Sequence, residues 1–166
     1  MSAGSGVLPV PAAARLQLWR SAGEAIVFTN GVYDLLHRGH VEYLEEARAL
    51  GDRLVVGVNS DASVRRLKGP SSPILPERDR AGLVAALACV DLVVLFDDDT
   101  PQALIEAVAP DVLAKGADYS LDQIVGRGFV ESHGGRVERI ALRPGLSTST
   151  LVQRIRDGRS ALDPWD

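Results

Sequence analysis

Two of the three histidines in this 166-residue chain stand three residues apart, in His37-Arg38-Gly39-His40. On the first turn of a helix that spacing turns both imidazoles the same way. A helix start presents unpaired N–H groups and the positive end of its dipole, so two imidazole donors over it form a phosphate site. A bound anion raises their pKa values and draws charge onto the rings. A structural zinc would want about four ligands, and Cys89 and His133 stand at no supporting spacing, so no metal ligand is assigned. Lysine is scarcer still. Of 18 basic residues only Lys68 and Lys115 are lysines, and each is followed by glycine. A flexible ammonium beside glycine reaches a phosphate as a point charge. Ser147-Thr148-Ser149-Thr150 places four hydroxyls at a helix start, more than one cap requires. With the backbone N–H groups beside them they are suited to further phosphate oxygens. Arg80, in Glu77-Arg78-Asp79-Arg80, is either another phosphate contact or an exposed helix charge.

These residues need a frame that brings them together. Short apolar runs alternate with helical patterns along the chain. Strands are expected at Ala25 to Thr29, Arg53 to Val58, Leu92 to Phe96, Val112 to Ala114 and Arg136 to Leu142. The β-branched, continuous run Ala25 to Thr29 suits a strand buried on both faces, and Arg53 to Val58 reads as another. Helices are expected at Val41 to Leu50 (inward at 41, 44, 47 and 50), Glu77 to Val90 (Leu83, Val84, Leu87 and Val90 inward), Pro101 to Val108, Gly126 to His133 and Ser147 to Arg156. A short amphipathic helix over Ala12 to Ala22 carries Leu16 and Trp19. Strands separated by helices imply right-handed βαβ units. The expected fold is α/β: a Rossmann-like, doubly wound sheet of about five parallel strands. Ligands in such sheets sit beyond the carboxyl ends of the strands, where the strand order reverses. The candidate residues follow strands, as this rule requires.

Composition narrows the class. Hydrophobic residues make up 46% and charged residues 24%, which fits one globular domain with a sizeable core. The expected organisation is a leader over 1–11, one domain over 12–157 and a tail over 158–166. A net charge of −4 argues against a general nucleic-acid binder. No apolar run approaches the roughly 20 residues of a membrane span. With Cys89 as its single cysteine, the chain suits a reducing cytoplasm. Neither Gly-x-Gly-x-x-Gly nor Gly-Lys-Ser/Thr follows the first strand, which disfavours a dinucleotide site and a P-loop.

The loop from Thr29 to His40 resembles the HxGH motif of the cytidylyltransferase-like nucleotidyltransferases, and the resemblance runs from about Ile26 to Ile155. Leu146-Ser147-Thr148-Ser149-x-Leu151 resembles the family's second motif. The arginine that relatives carry three residues before that motif's glycine is Leu142 here, with Arg143 one later. Asn59-Ser60-Asp61, Leu67-Lys68-Gly69, Cys89-Val90-Asp91, Asp99-Thr100-Pro101 and Lys115-Gly116-x-Asp118-Tyr119 look like the adenylyltransferase branch that makes ADP-heptose. Ser72 and Ala117 depart from that branch, which commonly has arginine and glycine there.

The resemblance implies AMP transfer from ATP to a sugar 1-phosphate, D-glycero-β-D-manno-heptose 1-phosphate, releasing pyrophosphate. It implies that His37, His40 and Lys68 are catalytic. It implies nucleotide contacts from Asn30, Gly31, Val32, Tyr33, Gly39, His40, Gly116, Asp118, Gly145, Leu146, Ser147, Thr148 and Ser149. It further implies substrate contacts from Asp34, Lys68, Arg80 and Lys115, Mg²⁺ carried by the nucleotide, a homodimer and a separate sugar kinase upstream. A cytidylyltransferase acting on glycerol 3-phosphate and a non-catalytic nucleotide sensor are the alternatives.

Overall fold

In the computed structural model, which describes residues 8–158, five strands form one parallel sheet in the order β3-β2-β1-β4-β5. They are β1 Ile26–Gly31, β2 Arg53–Asn59, β3 Leu92–Phe96, β4 Val112–Gly116 and β5 Arg136–Ile140. The helices are α1 Val10–Ser21, α2 Arg38–Arg48, α3 Asp61–Lys68, α4 Glu77–Ala85, α5 Gln102–Val108, α6 Arg127–Ser132 and α7 Thr148–Arg156. The doubly wound sheet is therefore borne out. The expected leader and tail lie outside the described residues over 1–7 and 159–166, while α1 begins at Val10, within the stretch read as leader.

Successive side chains of a strand point to opposite faces, so a doubly covered strand feeds two cores. Ile26 and Phe28 enter one, with Leu16 and Trp19 of α1, Ile105 of α5 and Val130 of α6. Val27 enters the other, with Leu44 and Ala47 of α2 and Val84 of α4. Ile105 is fully buried, so Ile105→Ala is expected to lower unfolding free energy by about 2–5 kcal/mol. Urea denaturation of the purified variant measures it.

Two expectations need correction, and one helix was not expected at all. The segment after β2 is a helix, α3, which its residues hardly announce: only Ser63 and Val64 are buried, so no apolar stripe marks it. It is set instead by Ser60, whose hydroxyl accepts the Ser63 N–H. The helix expected over 77–90 ends at Ala85, and Leu83 is exposed rather than inward. β4 runs on to Gly116, which takes Lys115 into the sheet.

Candidate active site

The chain leaves β1 for β2 and β3, then returns to the other side of β1 to form β4. The loops beyond β1 and β4 therefore run apart, and a cleft of about 500 Å³ opens between them. Asn30, Gly31, Val32, Tyr33, Asp34 and His40 line it from the first loop and the start of α2. Asn59, Leu67 and Lys68 line it from the β2–α3 side, and Lys115 and Gly116 from β4. Thr148 enters from α7.

The first loop is locally strained. Tyr33 and Leu35 hold φ of +53° and +48°, where side-chain-bearing residues are rarely found. Tyr33 is kept there by its ring, which is buried in the core and meets the His40 ring edge-on at 5.5 Å. His37 and His40 stack with ring centroids 3.8 Å apart, so the expected shared direction is correct. The His37 backbone N–H donates to His40 Nδ1 at 3.3 Å. A neutral His40 thus carries its proton on Nε2, as a donor toward the cleft.

Without an anion, burial sets the charge on this pair. Burial, then the neighbouring His37 and Lys68, pull His40 down to about 4, although Asp34 opposes them. Burial also lowers His37. In the protein alone both rings are neutral at pH 7, because burial lowers each of them and the stacked His37 lowers His40 further. Both ring nitrogens of His37 are buried without a hydrogen-bond partner, and His37, expected as a catalytic group, backs the His40 ring without lining the cleft.

Gly39 makes this stack possible. A Cβ there would lie 3.0 Å from His37 Cε1 and 3.5 Å from the Leu146 Cβ. Leu146 and Gly39 therefore bring the starts of α7 and α2 together, although neither lines the cleft. Gly39→Ala is expected to displace the His37 ring while the protein stays folded, which the imidazole NMR signals and a thermal melt check together.

Lys115 crosses the split between β4 and β1, its ammonium donating to Asn30 Oδ1. Burial pulls this lysine down to about 8. Lys68, the last residue of α3, is exposed at the rim. The four hydroxyls divide their tasks. Ser147 is the α7 cap, its hydroxyl accepting the Thr150 N–H at 3.1 Å. Thr148 donates to the Asp34 carbonyl at 2.7 Å and alone of the four lines the cleft. Ser149 is exposed, and Gly145 precedes the helix with φ of +77°.

Arg80 is not a phosphate contact in this arrangement. Its side chain is fully buried and outside the cleft wall, donating to three backbone carbonyls and to Asp61. Asp118 also lies outside the wall, and its carboxylate occupies the space a Cβ on Gly116 would need.

Further wall residues are Asp99, Thr100, Pro101, Tyr119, Gln123, Ile124 and Val125. They were not among the candidate site residues. The first four stand in segments that resemble the family and follow strand ends, so the strand-end rule could have found them. Gln123, Ile124 and Val125 carry no local signal, because a 3₁₀ turn at Leu121–Gln123 delivers them. Among the described residues no group of three or more His, Cys, Asp or Glu could hold a metal ion. Nor is any helix there long and apolar enough to cross a membrane.

This strand order, with a cleft over the split between β1 and β4 and helix starts aimed into it, defines a Rossmann-like α/β protein of the nucleotide-binding kind. The family model described as cytidylyltransferase-like matches residues 28–158, and the chain belongs to that family. It is 56% identical over 142 residues to the bifunctional protein HldE of Syntrophotalea carbinolica, covering 86% of this chain and 29% of that protein. It is 61% identical over 137 residues to the bifunctional protein HldE of Magnetococcus marinus, covering 82% of this chain and 28% of that protein. The chain thus spans less than a third of the length of these relatives. Among solved structures, the lipopolysaccharide core biosynthesis protein from Thermoplasma volcanium matches with a TM-score of 0.60 and 33% identity, covering 73% of this chain and 98% of that one.

Proposed function

We propose that this chain is an adenylyltransferase that joins AMP from ATP to D-glycero-β-D-manno-heptose 1-phosphate, giving ADP-heptose and pyrophosphate. The observation that carries the reading is the cleft itself. His40, Lys68, Lys115 and the start of α7 converge at the sheet's switch point in a member of the cytidylyltransferase-like family. The resemblance of the Lys-Gly-x-Asp-Tyr segment to the ADP-heptose branch, and the HldE relatives, support the choice of substrates.

The sugar phosphate is already a nucleophile, largely dianionic at pH 7 because its second pKa is about 6. Its oxygen attacks the α-phosphorus as the bond to the pyrophosphate oxygen breaks, so no general base is required. The barrier lies in holding two polyanions in line and stabilising charge on the departing pyrophosphate. His40 Nε2–H and the N–H groups at the starts of α2 and α7 face the triphosphate, with His37 stacked behind. The Lys68 and Lys115 ammonium groups offset the charge of the incoming phosphate. Mg²⁺ would enter on the triphosphate, whose oxygens are the hard ligands it prefers, and would neutralise part of that charge.

A homodimer acting in the cytoplasm, supplied with sugar 1-phosphate by a sugar kinase, completes the proposal. The test is direct. The purified chain is mixed with ATP or CTP and with heptose 1-phosphate or glycerol 3-phosphate, and pyrophosphate is measured. Release with ATP and heptose 1-phosphate is expected. Preference for CTP and glycerol 3-phosphate, or nucleotide binding without release, overturns the reading.

A further inference from the structure

We propose that Arg80 is a positioning residue, which with Asp34 sets the spacing between the nucleotide loop and the loop behind Lys68. The proposal rests on the nucleotidyl-transfer reading of the cleft. Arg80 is fully buried, and a buried guanidinium is costly unless its donors are met. Four of its five N–H donors have acceptors, each in a different part of the chain. Nε donates to the Leu75 carbonyl at 3.0 Å, and one terminal nitrogen donates to the Val32 carbonyl at 2.5 Å. The other donates to the Asn59 carbonyl and to the Asp61 carboxylate, both at 2.8 Å.

Each acceptor belongs to a different part of the cleft's frame. Val32 is in the first loop, Asn59 ends β2, Asp61 begins the helix that ends in Lys68, and Leu75 lies in the loop from α3 to α4. Asp34 grips the same loop, its carboxylate accepting the N–H groups of Ile74 at 2.6 Å and Leu75 at 2.9 Å. The Asp34 carbonyl in turn accepts the Thr148 hydroxyl at the start of α7. One polar network therefore joins the α7 start, the first loop and the base of the Lys68 helix. Four acceptors around one planar group suit the five-donor guanidinium and not an ammonium, which would reach only some of them.

The geometry thus gives Asp34 and Arg80 a task other than touching phosphate. They hold the Lys68 arm at a fixed reach from the triphosphate loop. Misplacing a reacting group by about 1 Å can cost roughly 10²-fold in rate.

The test uses the full chain and the substitutions Arg80→Lys and Asp34→Asn. Arg80→Lys keeps a buried cation. Asp34→Asn leaves every Arg80 partner in place, so it carries the test alone if the first variant fails to fold. Three readouts are taken: the thermal midpoint, amide hydrogen exchange at Ile74 and Leu75, and kcat with KM for each substrate. We expect folded variants with exchange at Ile74 and Leu75 at least 10-fold faster, KM for ATP within about 3-fold and kcat lower by about 10²-fold. Unchanged exchange or unchanged kcat in a folded variant overturns the proposal. So does a loss of kcat that disappears on cooling below a lowered midpoint, which marks a purely structural role. Should the wild-type chain release no pyrophosphate, the catalytic reading fails, and the exchange data still decide whether these two residues hold the loop.

Discussion

His40→Ala is expected to reduce pyrophosphate release by about 10²–10³-fold while leaving the thermal midpoint close to that of the parent chain. The size follows from what is removed. The His40 ring lines the cleft, and the His37 backbone N–H on its Nδ1 leaves the Nε2–H as donor. Such a donor acts on charge that develops in the transition state, so kcat falls more than KM rises. The pH dependence has a defined sign. His40 titrates at about 4 in the folded protein, below its ordinary 6.5. Its contribution to stability is present above pH 6.5 and is lost as pH falls toward 4. The parent should therefore lose stability between pH 6.5 and 4 more steeply than His40→Ala does, as urea titrations at several pH values will reveal. Wild-type turnover in the alanine variant would refute the assigned role.

Lys115→Met is expected to lower kcat/KM for the sugar phosphate by about 10²-fold or more, because a charge-assisted contact to phosphate is lost inside a partly closed cleft. The parent enzyme supplies a second check. Burial holds Lys115 at about 8, against an ordinary 10.5. The ammonium that phosphate needs is thus present at pH 7 and declines above pH 8, and kcat/KM should fall about tenfold per pH unit there. Stability moves the other way. Between pH 8 and 10.5 the unfolded chain binds the proton that the folded chain has released, so the contribution of this group to folding rises with pH. An alkaline loss of activity without loss of stability, absent from Lys115→Met, is the expected signature. A parent pH profile flat to pH 10 would remove Lys115 from the phosphate contacts.

The legible part of this protein was whatever depends on local pattern. The apolar runs at 26–28 and 54–56 announce buried strands, because a strand covered on both faces has no polar side to show. Their alternation with helical segments implies the parallel sheet. His37, Gly39 and His40 could be read as a phosphate site because spacing along one helical turn is itself geometry. The helix α3 was not legible, since it is short and buries only Ser63 and Val64, so no apolar run marks it.

The tertiary structure decided which charged residues touch solvent and which are consumed inside. Arg80 and Arg78 look alike in the sequence, yet Arg80 is sealed and Arg78 is exposed. Only the folding of four separate segments around position 80 creates the acceptors that consume the guanidinium. The same holds for the protonation states. Burial, which depends on the whole fold, lowers both histidines and keeps them neutral in the protein alone, with the stacked His37 lowering His40 further. Lys115 meets Asn30 across 85 residues because the strand order puts β4 beside β1. Residue type and spacing identify groups able to bind phosphate, since those are properties of short stretches of chain. Burial and partners belong to contacts between distant stretches, and these determine which groups remain available to do so.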